Sequence, residues 1–77
     1  MSIERIRSLL AEAREAKGFA YQAILHEIRK WIKRTPIGDI IKLIRTLDNE
    51  IDLRTLWAAG LPYDAQIAVI KRLREIR

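Results

Sequence analysis

The stretch Thr35–Asn49, TPIGDIIKLIRTLDN, carries a helix start, a helix stop and apolar residues at helical spacing between them. Thr35 is a good N-cap residue, and Pro36 suits the first helical position, where its missing N–H would be unpaired anyway. The residue before a proline also avoids the helical region, so a preceding helix must end there. The stretch therefore predicts a helix over 36–48, with a break at Asp48.

The apolar side chains of this helix cover an arc of about 160° on a helical wheel. They are Ile37, Ile40, Ile41, Leu43, Ile44 and Leu47. An arc this wide predicts the central and most buried helix of the protein. Gly38 lies on its polar side and costs roughly 1 kcal/mol relative to alanine.

Two further helices are predicted before this stretch, over 2–17 and 19–34. Ser2 can cap the first, and Gly18 suits the left-handed position just after it, with Phe19 supplying the apolar contact that often follows. A single long helix kinked at Gly18 remains an alternative. The predicted inner faces are Ile3, Ile6, Leu9, Leu10, Ala13 and Ala16, then Ala20, Tyr21, Ile24, Leu25, Ile28, Trp31 and Ile32.

Two helices are also predicted after this stretch, over 52–59 and 62–77. Asp52 can cap the short one, and Gly60 ends it with Leu61 as the following apolar contact. The inner face of the last helix is predicted to hold Tyr63, Ile67, Ile70, Leu73 and Ile76, widened by Val69.

The fold class that follows is all-α: one compact domain, 1–77, of about five short helices joined by short loops. The predicted helices are 2–17, 19–34, 36–48, 52–59 and 62–77. A chain of 77 residues is near the lower size limit for a self-sufficient core, and it has no cysteine to supply a disulfide. Its isoleucines, leucines and two tryptophans must therefore form a dense apolar interior.

Composition excludes several classes of function. No apolar run approaches the ~20 residues that a membrane span needs. The first residues do not resemble a secretory signal, so we expect a soluble chain, cytoplasmic in type if natural, with its compartment undetermined. Without cysteine, and with one histidine, zinc has no plausible ligand set. We predict no cofactor, no metal and no membrane partner.

No catalytic constellation is visible, and we predict that the chain is not an enzyme. His26 is the only histidine, and its position on the polar face of its helix predicts a solvated side chain. Asp48, Glu50 and Asp52 form an acidic cluster, but the sequence around them lacks the glycine and the distal glutamate of a calcium loop. We interpret this cluster as helix caps and loop.

The net charge of +5 is concentrated in two segments, 26–34 and 71–77, and mildly favours anionic partners. Gly60 between two apolar helical segments also gives the outline of a helix-turn-helix. A small nucleic-acid-binding protein is therefore an alternative function. Its contacts would be Arg29, Lys30, Lys33, Arg34, Lys71, Arg72, Arg74 and Arg77.

Two resemblances bear on function. The run Arg14–Phe19, REAKGF, resembles the opening of lambda-repressor-like DNA-binding domains, and Thr35–Leu47 resembles a later helix of that family. This resemblance implies a helix-turn-helix fold that binds DNA. In style, the agreement of caps, breakers and helical spacing resembles idealised or computationally designed all-α proteins.

Our preferred hypothesis is a structural helical scaffold without a specific biochemical activity, of de novo designed or idealised type. The isoleucine-rich, arginine-rich, cysteine-free composition also suits a thermostable protein. Nucleic-acid binding is the first alternative. A protein-interaction or dimerisation module is the second, and its mark would be an exposed apolar patch.

Overall fold

The computed structural model describes residues 2–76 and shows a bundle of α-helices with no strand among these residues. This confirms the all-α prediction and the expected succession of five helices. The helices are α1 (Ile3–Ala13), α2 (Phe19–Arg34), α3 (Ile37–Thr46), α4 (Glu50–Gly60) and α5 (Tyr63–Glu75).

The helices pack as two neighbouring groups. In the first group α2 lies along α4, and α1 packs on both; in the second, α3 lies along α5. Contacts between α4 and α5 join the groups. The radius of gyration is 11.4 Å, close to the ~11.5 Å expected for a compact chain of this length.

One apolar core runs through both groups and receives side chains from every helix. Burying each large aliphatic side chain contributes about 1.5–3 kcal/mol, so this cluster is the main source of stability. Its largest fully buried members are Ile6, Leu10, Ile28, Ile40, Leu43, Ile44, Leu53, Leu56 and Val69.

The start of α1 confirms one prediction, and its end corrects another. The Ser2 hydroxyl accepts a hydrogen bond from the Arg5 N–H at 3.2 Å, as an N-cap should. The helix ends at Ala13 rather than at 17. Gly18, at φ +61°, is the N-cap of α2, so the chain forms two helices and not one kinked helix. Because Gly18 opens α2 instead of closing α1, Phe19 does not pack against α1 and is 95% exposed.

The junction at Pro36 lies one residue from its predicted place. Thr35 does not cap α3; its hydroxyl donates to the Trp31 carbonyl at 2.6 Å and so closes α2. Pro36 takes the N-cap position, and α3 begins at Ile37. The predicted burial of α3 is confirmed at its centre, whereas Ile37 at its exposed first turn is 38% accessible.

The prediction that Asp52 caps α4 is wrong. The Asn49 side chain accepts from the Ile51 N–H at 2.8 Å, so the helix begins at Glu50. Asp52 then lies inside the helix and is buried. The end of α4 follows the prediction, since Gly60 has φ +99° and Leu61 is buried beside it.

The predicted inner face of α5 is wrong for three of its residues. Tyr63, Ile67 and Ile70 face outward, with exposed fractions of 74%, 37% and 42%. The residues buried on α5 are Ala65 and Val69, while Leu73 and Ile76 are half-buried against the core. Relative to the prediction, the buried side of α5 is therefore turned toward Ala65 and Val69, which are both fully buried.

Candidate functional site on α5

The outward side of α5 presents apolar and charged residues together. On a helix, positions three, four and seven apart share a face. We call this surface the outer α5 face; its residues are Tyr63, Asp64, Ile67, Ile70, Lys71 and Arg74, and all six are exposed. Single exposed aliphatic side chains are common on protein surfaces, but three large apolar side chains in one stripe make this surface a candidate interaction site.

A groove between α3 and α5 adjoins this face. It has a volume of about 250 Å³ and is lined by Ile41, Arg45, Asp64, Ile67, Ala68, Lys71, Arg72 and Glu75. Apolar side chains from both helices line it together with three cations and two carboxylates. Such a groove suits an apolar side chain of a partner with polar groups around it, as in the interfaces between proteins.

Arg72 shows how one wall of the groove is held. Its Nε donates to the Leu47 carbonyl at 2.7 Å, and its guanidinium lies 3.6 Å from the Glu75 carboxylate. Leu47 is the C-cap of α3, where carbonyls lack helical partners and attract positive charge. Arg72 therefore fastens α5 to the end of α3.

Arg29 makes the equivalent contact in the other helix group. Its Nε donates to the Ala59 carbonyl at 2.9 Å, in the last turn of α4. Both arginines were predicted as nucleic-acid contacts, and both hold a carbonyl at the end of a neighbouring helix. Sequence alone could not reveal this, because the paired residues are 30 and 25 positions apart.

The remaining predicted nucleic-acid residues divide between two surfaces. On α2, Lys30 lies 3.7 Å from Glu27, and the Arg34 Nε donates to the Lys30 carbonyl at 3.3 Å. The side chains of Lys33, Lys71 and Arg74 are exposed and make no hydrogen bond or ion pair within residues 2–76. Arg77 lies outside the described residues. The basic segments belong to α2 and α5, which do not pack extensively against each other.

The acidic cluster is divided among three environments. Asp48 is exposed, Glu50 lies 3.4 Å from Arg54, and Asp52 faces Arg14. Across the part of the chain that the structure describes, no three acidic, histidine or cysteine side chains group as a metal site would require. His26 is exposed on α2, as its place on the polar face predicted.

The pair formed by Arg14 and Asp52 was missed by sequence reasoning. The Arg14 Nε and a terminal nitrogen donate to the two carboxylate oxygens at 2.8 and 2.5 Å. The Asp52 side chain is 4% exposed and that of Arg14 42%, so the pair reaches from the interior to the surface. The hydrogen bond to Asp52, and then its charge, raise the pKa of Arg14 above the ordinary value.

A signal for this pair was present in the sequence. Once α4 begins at Glu50, Asp52 falls on the same stripe as Leu56 and Ala59, both fully buried. A carboxylate on a buried stripe requires a partner. Which arginine supplies it depends on the packing of α1 against α4.

Comparison of the chain with protein-family models, curated proteins and solved structures gives no significant match. None of the helices described over residues 2–76 combines the length and apolar character needed to cross a membrane.

Proposed function

We propose that this chain is a small helical interaction module that binds another polypeptide through the outer α5 face and the adjoining groove. The observation that carries the proposal is that α5 has two apolar sides. Ala65 and Val69 meet the core, whereas Tyr63, Ile67 and Ile70 face solvent. An exposed apolar stripe lowers solubility, and a role in binding a partner would explain why the chain carries one.

The composition of the face fits this role. Tyrosine and arginine are enriched at interfaces between proteins, and the outer α5 face holds Tyr63 and Arg74 beside its isoleucines. Tyrosine offers a large contact area with few rotatable bonds. The charged residues at the edge would set orientation more than affinity.

The scaffold hypothesis and the nucleic-acid alternative stay predictions. A scaffold without a partner gives no reason for an apolar stripe on the solvent side of α5. For nucleic-acid binding, Arg29 and Arg72 already use their Nε donors within the fold. Salt-dependent titration with duplex DNA tests this alternative, because phosphate contacts make affinity fall steeply with salt.

Selection of peptides from a displayed random library tests the proposal. Wild-type protein is the bait, and enriched peptides are then measured against Ile67→Glu and Ile51→Glu. Ile51, on α4, is 53% exposed and gives a matched control away from the site. Peptides that bind wild type and Ile51→Glu but not Ile67→Glu support the module. If no peptide is enriched, or binding survives Ile67→Glu, the proposal fails.

A further inference from the structure

Charge is unevenly distributed along the outer α5 face. Its N-terminal half holds the carboxylate of Asp64, and its C-terminal half holds the cations of Lys71 and Arg74. Seven residues of helix separate Asp64 from Lys71 by about 10 Å along the axis. Ile67 and Ile70 lie between the two charged ends.

We propose that the partner is a second copy of this chain, with the two α5 helices packed antiparallel about a two-fold axis. The inference rests on the proposed function and identifies its partner. A two-fold axis near the midpoint between Ile67 and Ile70 places Ile67 of each copy opposite Ile70 of the other copy. Two-fold dimers of this kind bury the same patch on both copies.

The antiparallel arrangement makes both ends of the face complementary. Asp64 of one copy lies toward Lys71 of the second copy, and the reverse pair forms at the other end. Tyr63 lies opposite Arg74 of the second copy, where the cation can rest on the ring face. A parallel arrangement would set like charges together at each end, so it is disfavoured.

The same charge pattern disfavours other occupants. An acidic helix or a nucleic acid would be attracted by Lys71 and Arg74 but repelled by Asp64. A nucleic acid would also leave Ile67 and Ile70 uncovered. Because each copy carries a net charge of +5 and the apolar stripe is short, the dimer is weak, roughly micromolar to millimolar in Kd.

Sedimentation velocity of the full chain, from about 10 μM to about 1 mM, measures the association. We expect a monomer–dimer equilibrium that shifts with concentration. Ile70→Lys should raise the dimer Kd on the order of tenfold or more, since it places a charge at the centre of the interface. Ile51→Lys, on α4, should leave the Kd unchanged, and circular dichroism should show equal helix content in both variants.

Charge exchange then tests the antiparallel geometry. Asp64→Lys alone and Lys71→Asp alone should each weaken self-association, because each creates two like-charge contacts. An equimolar mixture of these two variants should associate as wild type does, since every contact again joins opposite charges. Glu12→Lys, an exposed change on α1, raises the net charge by the same amount as Asp64→Lys and controls for net charge in that variant.

The outcomes separate the dimer from the broader proposal. A wild-type chain that stays monomeric at about 1 mM overturns the second-copy inference, while peptide selection still decides the interaction module. Association that survives Ile70→Lys, or that the mixed charge variants fail to restore, also overturns it. Dimerisation lost only in the outer-face variants supports both inferences.

Discussion

The α2–α4 and α3–α5 pairs are each held by an arginine bonded to a helix-end carbonyl, but they differ in the side chains that they bury. In each pair an arginine Nε donates to a carbonyl at the end of the neighbouring helix, Arg29 to Ala59 and Arg72 to Leu47. Yet α2 buries four large aliphatic side chains and Trp31, whereas α5 buries only Ala65 and Val69. Helix α5, which contributes the least side-chain volume to the core, therefore carries further apolar side chains that remain exposed, and these lie on the outer α5 face.

The largest expected effect contrasts an isoleucine from each region. Ile28 on α2 is fully buried, so Ile28→Ala should lower the free energy of unfolding by about 2–5 kcal/mol. Ile70 on α5 is 42% exposed, so Ile70→Ala should cost less than about 1 kcal/mol. Urea unfolding of dilute protein, followed by circular dichroism, measures both. Equal losses of unfolding free energy in the two variants would mean that the outer α5 face belongs to the core, and the difference between α2 and α5 would not hold.

The ion pair between Arg14 and the buried Asp52 gives the next effect, in the α1–α2–α4 group. Asp52→Asn keeps the shape of the side chain but removes its charge, and should cost about 1–3 kcal/mol of unfolding free energy. Asp39→Asn, an exposed change on α3, should cost less than about 1 kcal/mol. Arg14→Leu should likewise lower the unfolding midpoint in urea more than Arg54→Leu, because it strands the Asp52 carboxylate. A midpoint shift no larger than that of Arg54→Leu would show that the pair adds no stability.

Arg29 and Arg72, which each donate to a helix-end carbonyl, allow a direct comparison of the two helix groups. Arg29→Met and Arg72→Met keep the aliphatic stem but leave a helix-end carbonyl without its donor, and each should cost about 1–2 kcal/mol. Lys33→Met, with no bonded partner within residues 2–76, should change stability by less than about 0.5 kcal/mol. Thermal unfolding of the three variants measures this. If Arg29→Met and Arg72→Met match Lys33→Met, the fastening that we describe is not a source of stability.

The last comparison concerns two glycines, whose replacement should change stability in opposite directions in the two halves. Gly38 in α3 has ordinary helical backbone and open space where a Cβ would lie, so Gly38→Ala should stabilise by about 0.5–1 kcal/mol. Gly60 at the end of α4 has φ +99°, so Gly60→Ala should destabilise by about 1–2 kcal/mol. Denaturant unfolding measures both variants; a stabilising Gly60→Ala would contradict the need for glycine at the end of α4.

The helices could be predicted from local chemistry, because Ser2, Pro36 and Gly60 start or end a helix through their effect on the neighbouring backbone. The N-terminus of α4 was less predictable, since Asn49 and Asp52 are both good caps and only one can be used. Asn49 took that position, which placed Asp52 inside. The sequence could not choose between these caps without the partner on α1.

The rotation of α5, and with it the candidate site, could not be read from periodicity. Apolar residues occupy most of the circumference of this helix, so two stripes compete for the core. The wider stripe, through Ile67 and Ile70, was the natural choice. In the folded protein the narrower stripe, through the fully buried Ala65, faces the core instead. That preference arises only when the neighbouring helices are in place.

The pairing of Arg14 with Asp52 bears on the order in which the helices can pack. During synthesis α1 is made first, and 37 residues lie between Arg14 and Asp52. Until Asp52 has been made, Arg14 lacks the partner that it has in the folded protein. We therefore expect the packing of α4 to complete this helix group, because α4 supplies both a buried apolar stripe and the carboxylate that binds Arg14.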